Sequence, residues 1–264
     1  MHAIRLRGGH GIALLRAVTH VLGWRAAFGV IAPSTNTVVE ADYCAMSVPG
    51  VTAHTGRIWI RDQDLSSDAQ FEALLGQIRE EIDNACRRVL TCEPDHMVMG
   101  MSAETFWGGV EGNRRFKRHV EELCGLGVTT GAEACARGLE LLGARRIAVL
   151  TPYQPVADEN VRLFFTESGF DVLAVEGLRC PSAVAIARVG EDELRGVLRA
   201  LDGPDVDAIV QVGTNLSMVR LADEAERWLG KPVLAINAVT WWMALRDNGI
   251  LDRIDGAGTL LREH

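Results

Sequence analysis

An α/β fold on parallel sheets is predicted by three features of the sequence. Short apolar segments of strand character alternate with longer segments of helical periodicity. A helix between consecutive strands implies a right-handed crossover, and hence parallel pairing. Several strands also run out into Gly, Pro, Ser, Thr and Asn, the residues of turns and helix caps. Ligands bind beyond that end of a parallel sheet.

The first strand covers residues 27–32, AFGVIA, and stops at Pro33. The polar run Ser34-Thr35-Asn36-Thr37 follows, and Thr35 or Asn36 is expected to cap a helix. Residues 52–60, TAHTGRIWI, alternate as a second strand. Residues 68–90 carry Phe71, Leu74, Leu75, Ile78, Ile82 and Val89 on one helical side. A third strand over 96–100 opens into the loop MGMSAETFWGG, and a helix over 114–123 follows. A second unit is expected from Val128. Its first helix, within TTGAEACARGLELLG, is stopped by Gly143. Then come the strand RRIAVLTPY, a helix over 158–168, the strand FDVLAVEGL and a helix over 191–201. The strand VDAIVQVGTN, a helix over 218–229, the strand KPVLAIN and a helix over 238–247 close the pattern. The strand ends APSTN, MGMSAET, LTPY and VGTN would meet in one cleft if two similar halves faced each other.

The 264 residues suffice for one large domain or two modest ones. The expected division is an extension over 1–25, a first α/β domain over 26–127 completed by 236–264, and a second over 128–235. A net charge of -8 leaves no basic surplus for phosphates, which argues against a nucleic-acid partner or an anionic membrane. No apolar run reaches the length of a membrane span. The six cysteines form no CxxC pair and have no histidine cluster, so neither zinc nor a disulfide framework is expected. Free thiols fit a reducing cytoplasm. The basic N-terminal stretch reads as a helical or disordered extension, because it lacks a cleavage site.

Four fragments in order, APSTNTVVE, TGRI after His54, LTPYQPVADENVRLFF and VGTNLSMVRLADEAERWLGKPVLAINAVTWWMALR, resemble the maleate isomerase and arylmalonate decarboxylase group of the aspartate/glutamate racemase superfamily. The resemblance covers residues 26 to 255. It implies two pseudo-symmetric domains, each a parallel sheet flanked by helices, with the site in the cleft between them. It implies no metal or organic cofactor, a small carboxylic acid as ligand, and a homo-oligomer. The substrate-binding residues it implies are Ser34, Asn36, Met101 and Ser102 from the first half, and Tyr153, Asn160, Thr214 and Asn215 from the second. Neutral donors of this kind stabilise an enolate as charge builds.

The family's chemistry uses cysteine, because a thiolate is nucleophilic and its pKa is easily tuned. Matching the motifs places Gly100 and Gly213 at the two cysteine positions, from which a thiol would point into the cleft. A different proton donor is then needed, either a bound water or Glu104, whose carboxyl lies beside Phe106 and Trp107. Locally, Asn36 also fits a helix cap, Arg57 fits a pair with a loop carboxylate, and Trp241 and Trp242 fit the core or an interface. Cys135 and Cys180 read as structural. The expected function is a cofactor-independent isomerase resembling maleate cis-trans isomerase, working through a stabilised enolate. The alternatives are an arylmalonate decarboxylase-like lyase and a carboxylate-binding protein without catalysis.

Overall fold

The computed structural model describes residues 20–264, so most of the expected extension over 1–25 lies outside the described residues. The first half runs β1 (Ala26–Pro33), α1 (Val39–Ala45), β2 (Val51–Ile58), α2 (Asp68–Leu90), β3 (His96–Met99), α3 (Ala103–Phe106), α4 (Gly109–Cys124) and β4 (Val128–Thr129). The chain continues through α5 (Gly131–Leu141), β5 (Arg146–Thr151), α6 (Pro155–Glu167), β6 (Asp171–Gly177), α7 (Glu191–Leu201), β7 (Ala208–Gln211), α8 (Val219–Leu229), β8 (Val233–Ala235), α9 (Ile236–Asp247) and α10 (Thr259–Glu263).

Among the described residues the strands form two four-stranded sheets of the same order, β2-β1-β3-β4 and β6-β5-β7-β8. All pairs are parallel. The predicted fold class is therefore the observed one. The inner strands β1, β3, β5 and β7 are buried along almost their whole length, while β2 and β6 alternate as half-buried edges. A strand covered on both faces reads as a continuous apolar run, and AFGVIA, HMVM and AIVQ are such runs.

In each sheet the chain leaves the first inner strand to one side and returns on the other. The strand order thus reverses between β1 and β3, and again between β5 and β7. The carboxyl ends beside such reversals form a crevice suited to a ligand.

Local chemistry starts and stops the helices. Ser67 caps α2 by accepting from the Gln70 N–H at 3.3 Å, and Thr130 caps α5 by accepting from the Glu133 N–H at 3.3 Å. Gly125 and Gly230 end α4 and α8 in the left-handed conformation. Helix α9 is buried on all sides from Ile236 to Leu245, so it is a core helix and not an amphipathic surface one. Leaving β8 of the second sheet, it packs on α1, β3, β4 and α5. Trp241 stacks on Tyr43 with ring centroids 4.8 Å apart and donates its indole N–H to the Met46 carbonyl. Both Trp241 and Trp242 are core residues.

Helices α3 and α10 stand where none is expected, α6 begins three residues early at Pro155, and two further departures bear on the layout. Val128, expected to open the second unit, lies in β4 and pairs with β3 of the first sheet. Helix α4 begins at Gly109, five residues early, because the Gly108–Gly109 pair takes positive φ and turns the chain directly into it. No described helix is long and apolar enough to cross a membrane.

Candidate active site

Four inner strands end at one cleft. Asn36 follows β1, Ser102 follows β3, Tyr153 follows β5 and Thr214 follows β7, and all four side chains line the same cavity of about 70 Å³. They are joined by hydrogen bonds across the two sheets. Asn36 Nδ2 donates to Thr214 Oγ1 at 3.0 Å, the Thr214 backbone N–H donates to Ser102 Oγ at 3.2 Å, and Ser102 Oγ lies 2.6 Å from Tyr153 Oη. All four residues are at most 5% exposed, so water competes little for these bonds.

Counting protons shows what remains for a ligand. The Asn36 amide carries a second N–H. Thr214 Oγ1 accepts from Asn36 and keeps its own O–H to give. Of the Ser102 and Tyr153 hydroxyls, one donates to the other, which leaves one proton free for a ligand. Asn36 is also the expected cap, since its Oδ1 accepts from the Val38 and Val39 N–H groups, each at 3.0 Å.

Asn215 lines the cavity but has little to offer. Its Oδ1 accepts from the Thr37 N–H, and its Nδ2 is spent on the Ala183 and Thr35 carbonyls. It joins the β1 and β7 ends and does not present a donor. Met101 contributes apolar lining. Ser34 is exposed and exchanges hydrogen bonds with the Ile60 backbone, outside the cavity. Asn160 also lies outside it, because its amide binds the Gly108 N–H and the Val156 carbonyl and so ties α6 to the start of α4.

Glu104 does not reach the cleft. It is the second residue of α3, where helical rotation carries its side chain away from Ser102 and into a separate cavity between α2, α3 and α4. Its Oε1 accepts from Arg79 Nε at 2.7 Å, and burial pushes its carboxyl above the ordinary value. The proton-donor role expected for it has no geometric support.

The two glycines are not equivalent. Gly213 lines the cleft at φ +109°, and a Cβ there would stand 2.6 Å from the Pro152 ring. Gly100 is not part of the cavity wall, and its Cβ would meet Val30, the Ile31 carbonyl and Ala32 on β1. A Cβ at Gly100 would therefore pack tightly against β1. No cysteine lines the cavity among the described residues. Cys135 is buried in α5, and Cys180 is buried with its thiol pushed up to about 11.

The apolar wall is what local sequence does not assign to a site. Phe71, Leu74 and Ile78 of α2 face the cavity, together with Ile60, Leu65 and Ile186. Periodicity places the α2 residues on a buried face, but a core face and a ligand-facing one look the same in sequence.

Among the described residues, Tyr153 is the one titratable side chain in the cavity lining. Burial raises its phenol pKa and the Ser102 bond opposes this, so it remains a proton donor at neutral pH. The Phe71 ring meets it edge-on at 5.3 Å. Its carbonyl accepts from Arg179, which also pairs with Asp158, and Asp158 in turn accepts from Thr151. Arg57 pairs with Glu40, and it donates to the Pro33 and Asn36 carbonyls at 3.1 and 2.6 Å. Its role is therefore to brace the β1 end.

Behind Thr214, Asn237 Nδ2 donates both to the Thr214 carbonyl at 2.9 Å and to Asp42 Oδ2 at 2.7 Å. Burial raises the Asp42 carboxyl from 3.8 to about 6 against this hydrogen bond. The folded state thus holds the proton more tightly than the unfolded one. The resulting stability is complete below the unfolded value of 3.8 and is lost as pH rises through about 6. Asp42→Asn keeps an acceptor for Asn237 and removes this titration. Urea unfolding at about pH 4 and about pH 8 should show a smaller loss on raising pH in the variant than in the wild type. Equal losses would contradict the burial argument.

The family model described as arylmalonate decarboxylase matches residues 68–261. A maleate isomerase of Pseudomonas putida is 26% identical over 244 residues, covering 88% of this chain and 96% of the relative. An arylmalonate decarboxylase of Bordetella bronchiseptica is 31% identical over 151 residues, 56% of this chain and 62% of the relative. In fold, the chain is similar to a Nocardia farcinica maleate cis-trans isomerase mutant solved with a covalently bound succinylcysteine intermediate. The TM-score is 0.81 at 23% identity, over 90% of this chain and 98% of that one.

Proposed function

The chain belongs to the arylmalonate decarboxylase family, and from that premise we propose that it decarboxylates small malonate-type acids bearing an apolar substituent. The observation that carries this is the cleft's one-sided polarity. Its spare donors are gathered in the cluster of Asn36, Ser102, Tyr153 and Thr214, while Phe71, Leu74, Ile78 and their neighbours make the rest of the wall apolar. A substituted malonate has the same division, with both carboxylates on one carbon and the apolar group beside them. Maleate, in contrast, is polar at both ends.

Loss of carbon dioxide breaks one bond of the α-carbon to a carboxyl carbon. The electron pair passes into the remaining carboxylate as an enediolate. The Asn36 N–H, the Thr214 O–H and the free proton of the Ser102–Tyr153 pair would bind those oxygens, and they are already oriented before charge develops. The α-carbon then takes a proton. Tyr153 is the side chain proposed to deliver it, and it would be reprotonated from solvent.

The test follows phenylmalonate and maleate by proton NMR in separate reactions. Phenylmalonate should yield phenylacetate, with kcat/KM at least about tenfold above that for any conversion of maleate to fumarate. Fumarate without phenylacetate would favour the second reading, and turnover of neither would overturn both.

That second reading is cis–trans isomerisation of a small dicarboxylate. The nearly full-length similarity to maleate isomerase favours it. Against it stands the lining, in which no described cysteine offers the thiol that a succinylcysteine intermediate requires.

A substitution tests the binding group. Asn36→Asp keeps the cap on α1, loses the N–H given to Thr214 and places a negative charge beside the bound carboxylate. KM should rise about tenfold or more in protein that circular dichroism shows to be folded, and the thermal midpoint should fall because the new carboxylate is buried. An unchanged KM would remove Asn36 from the proposed binding group.

A further inference from the structure

Helix α2 runs past two cavities. Phe71, Leu74 and Ile78 face the cleft, whereas Ile78 and Ile82 face a second cavity of about 350 Å³ between α2, α3 and α4. Successive members of the series Phe71, Leu74, Ile78, Ile82 are a single helical turn apart, so they form one stripe along α2. The two cavities therefore follow one another along that stripe. The segment from Met101 shows the same succession, since Met101, Ser102 and Ala103 line the cleft and Glu104 and Trp107 line the second cavity. Among the described residues, Ile78 is the one that lines both. It is buried and packed into the core, so its side chain is a fixed wall. The Tyr153 hydroxyl stands at the other end of the stripe, where the Phe71 ring meets the Tyr153 ring at 5.3 Å. From Phe71 to Ile78 the helix advances about 10 Å along its axis. Beyond Ile78, the second cavity offers the apolar surface of Ile82, Trp107 and Phe116.

We propose that Ile78 is the specificity-determining residue of the cleft: it is the partition that admits a single aromatic ring as the acid's substituent and stops a second ring linked end to end with the first. This rests on the reading of the cleft as a site for malonates with an apolar substituent. An acid held by the polar donors lays its substituent on the α2 stripe, and Ile78 closes the far end of that slot. Alanine at this position removes three carbons, and a packed core fills such a gap only in part. The gap would join the cleft to the cavity behind it, and a second ring would pass onto Trp107 and Phe116. Leu74 provides the contrast. It borders the cleft and not the second cavity, so shortening it widens the slot without opening its end.

The test compares phenylmalonate with 4-biphenylylmalonate in the wild type, Ile78→Ala and Leu74→Ala. The wild type should favour phenylmalonate at least about tenfold in kcat/KM. Ile78→Ala should move that ratio towards the biphenyl acid by at least about tenfold, and Leu74→Ala should move it less than about threefold. Circular dichroism checks that each variant is folded. If Ile78→Ala is not, Ile78→Val carries the test, with a shift of at least about threefold for the one carbon removed. Calorimetric titration of phenylacetate and 4-biphenylylacetate, which have no second carboxylate to lose, should give the same order in Kd. A wild type that binds phenylacetate without converting phenylmalonate fails the reading of the cleft alone, and the Kd ratios then decide the role of Ile78. An unchanged ratio in the folded Ile78 variant overturns the proposal. So does an equal shift in Leu74→Ala, a wild type that takes both acids equally, or one that neither binds nor converts any of them.

Discussion

Tyr153→Phe is expected to lower kcat/KM for phenylmalonate by about 10²–10³, the usual cost of removing one preorganised donor from a developing oxyanion. The ring stays, so packing against Phe71 is kept and stability changes little. Among the described residues, the lost group is the one titratable side chain in the cavity lining, and it is the partner of Ser102 at 2.6 Å. Ser102→Ala is expected to cost a similar factor, because it also strands the Thr214 N–H. Each single variant keeps one hydroxyl whose proton is no longer spent within the pair, so the double variant, which has neither, should be clearly worse than either single one. Steady-state kinetics on the three proteins checks this. A Tyr153→Phe protein as active as the wild type would leave the cleft without its proposed proton carrier.

Gly213→Ala is expected to destabilise the fold by about 2–5 kcal/mol, combining a left-handed backbone with overpacking. The thermal midpoint should fall by about 5–20 °C. The residue sits at φ +109°, and its Cβ would press on Pro152 at 2.6 Å. The turn is also held from both sides, since Gln211 Nε2 and the Leu216 N–H both donate to the Gly213 carbonyl. Cysteine at this position meets the same obstacle before any chemistry begins. The glycine is therefore built into the turn and is not an empty slot awaiting a thiol. Calorimetric unfolding of Gly213→Ala tests this, and an unchanged midpoint would show that the turn relaxes without cost.

The fold was legible in the sequence where patterns are long. Periodicity predicts α2 over residues 68–90, and the structure has Asp68–Leu90. β4 is two residues long and has no pattern to detect, so the first sheet's last strand reads as the start of the next unit. In the site, Asn36, Ser102, Tyr153 and Thr214 are legible because each follows an inner strand of a parallel sheet. Which of them keeps a spare donor is not, because that depends on partners distant in sequence. Asn215 is an amide like Asn36, yet the Ala183 and Thr35 carbonyls take its N–H groups, and Gly108 and Val156 hold Asn160 outside the cavity. Glu104 is only two residues from Ser102, and the rotation of α3 puts it in a different cavity.

The central claim is that carboxylate chemistry proceeds here without a thiol in the cleft. The most direct measurement is the rate of phenylmalonate decarboxylation before and after exhaustive treatment with iodoacetamide, with labelled cysteines mapped by mass spectrometry. The account predicts an unchanged rate, with label on exposed Cys44 and on other thiols outside the cavity lining. Rapid inactivation that phenylmalonate prevents, with label on a single cysteine, would place a thiol at the reacting carbon and contradict it.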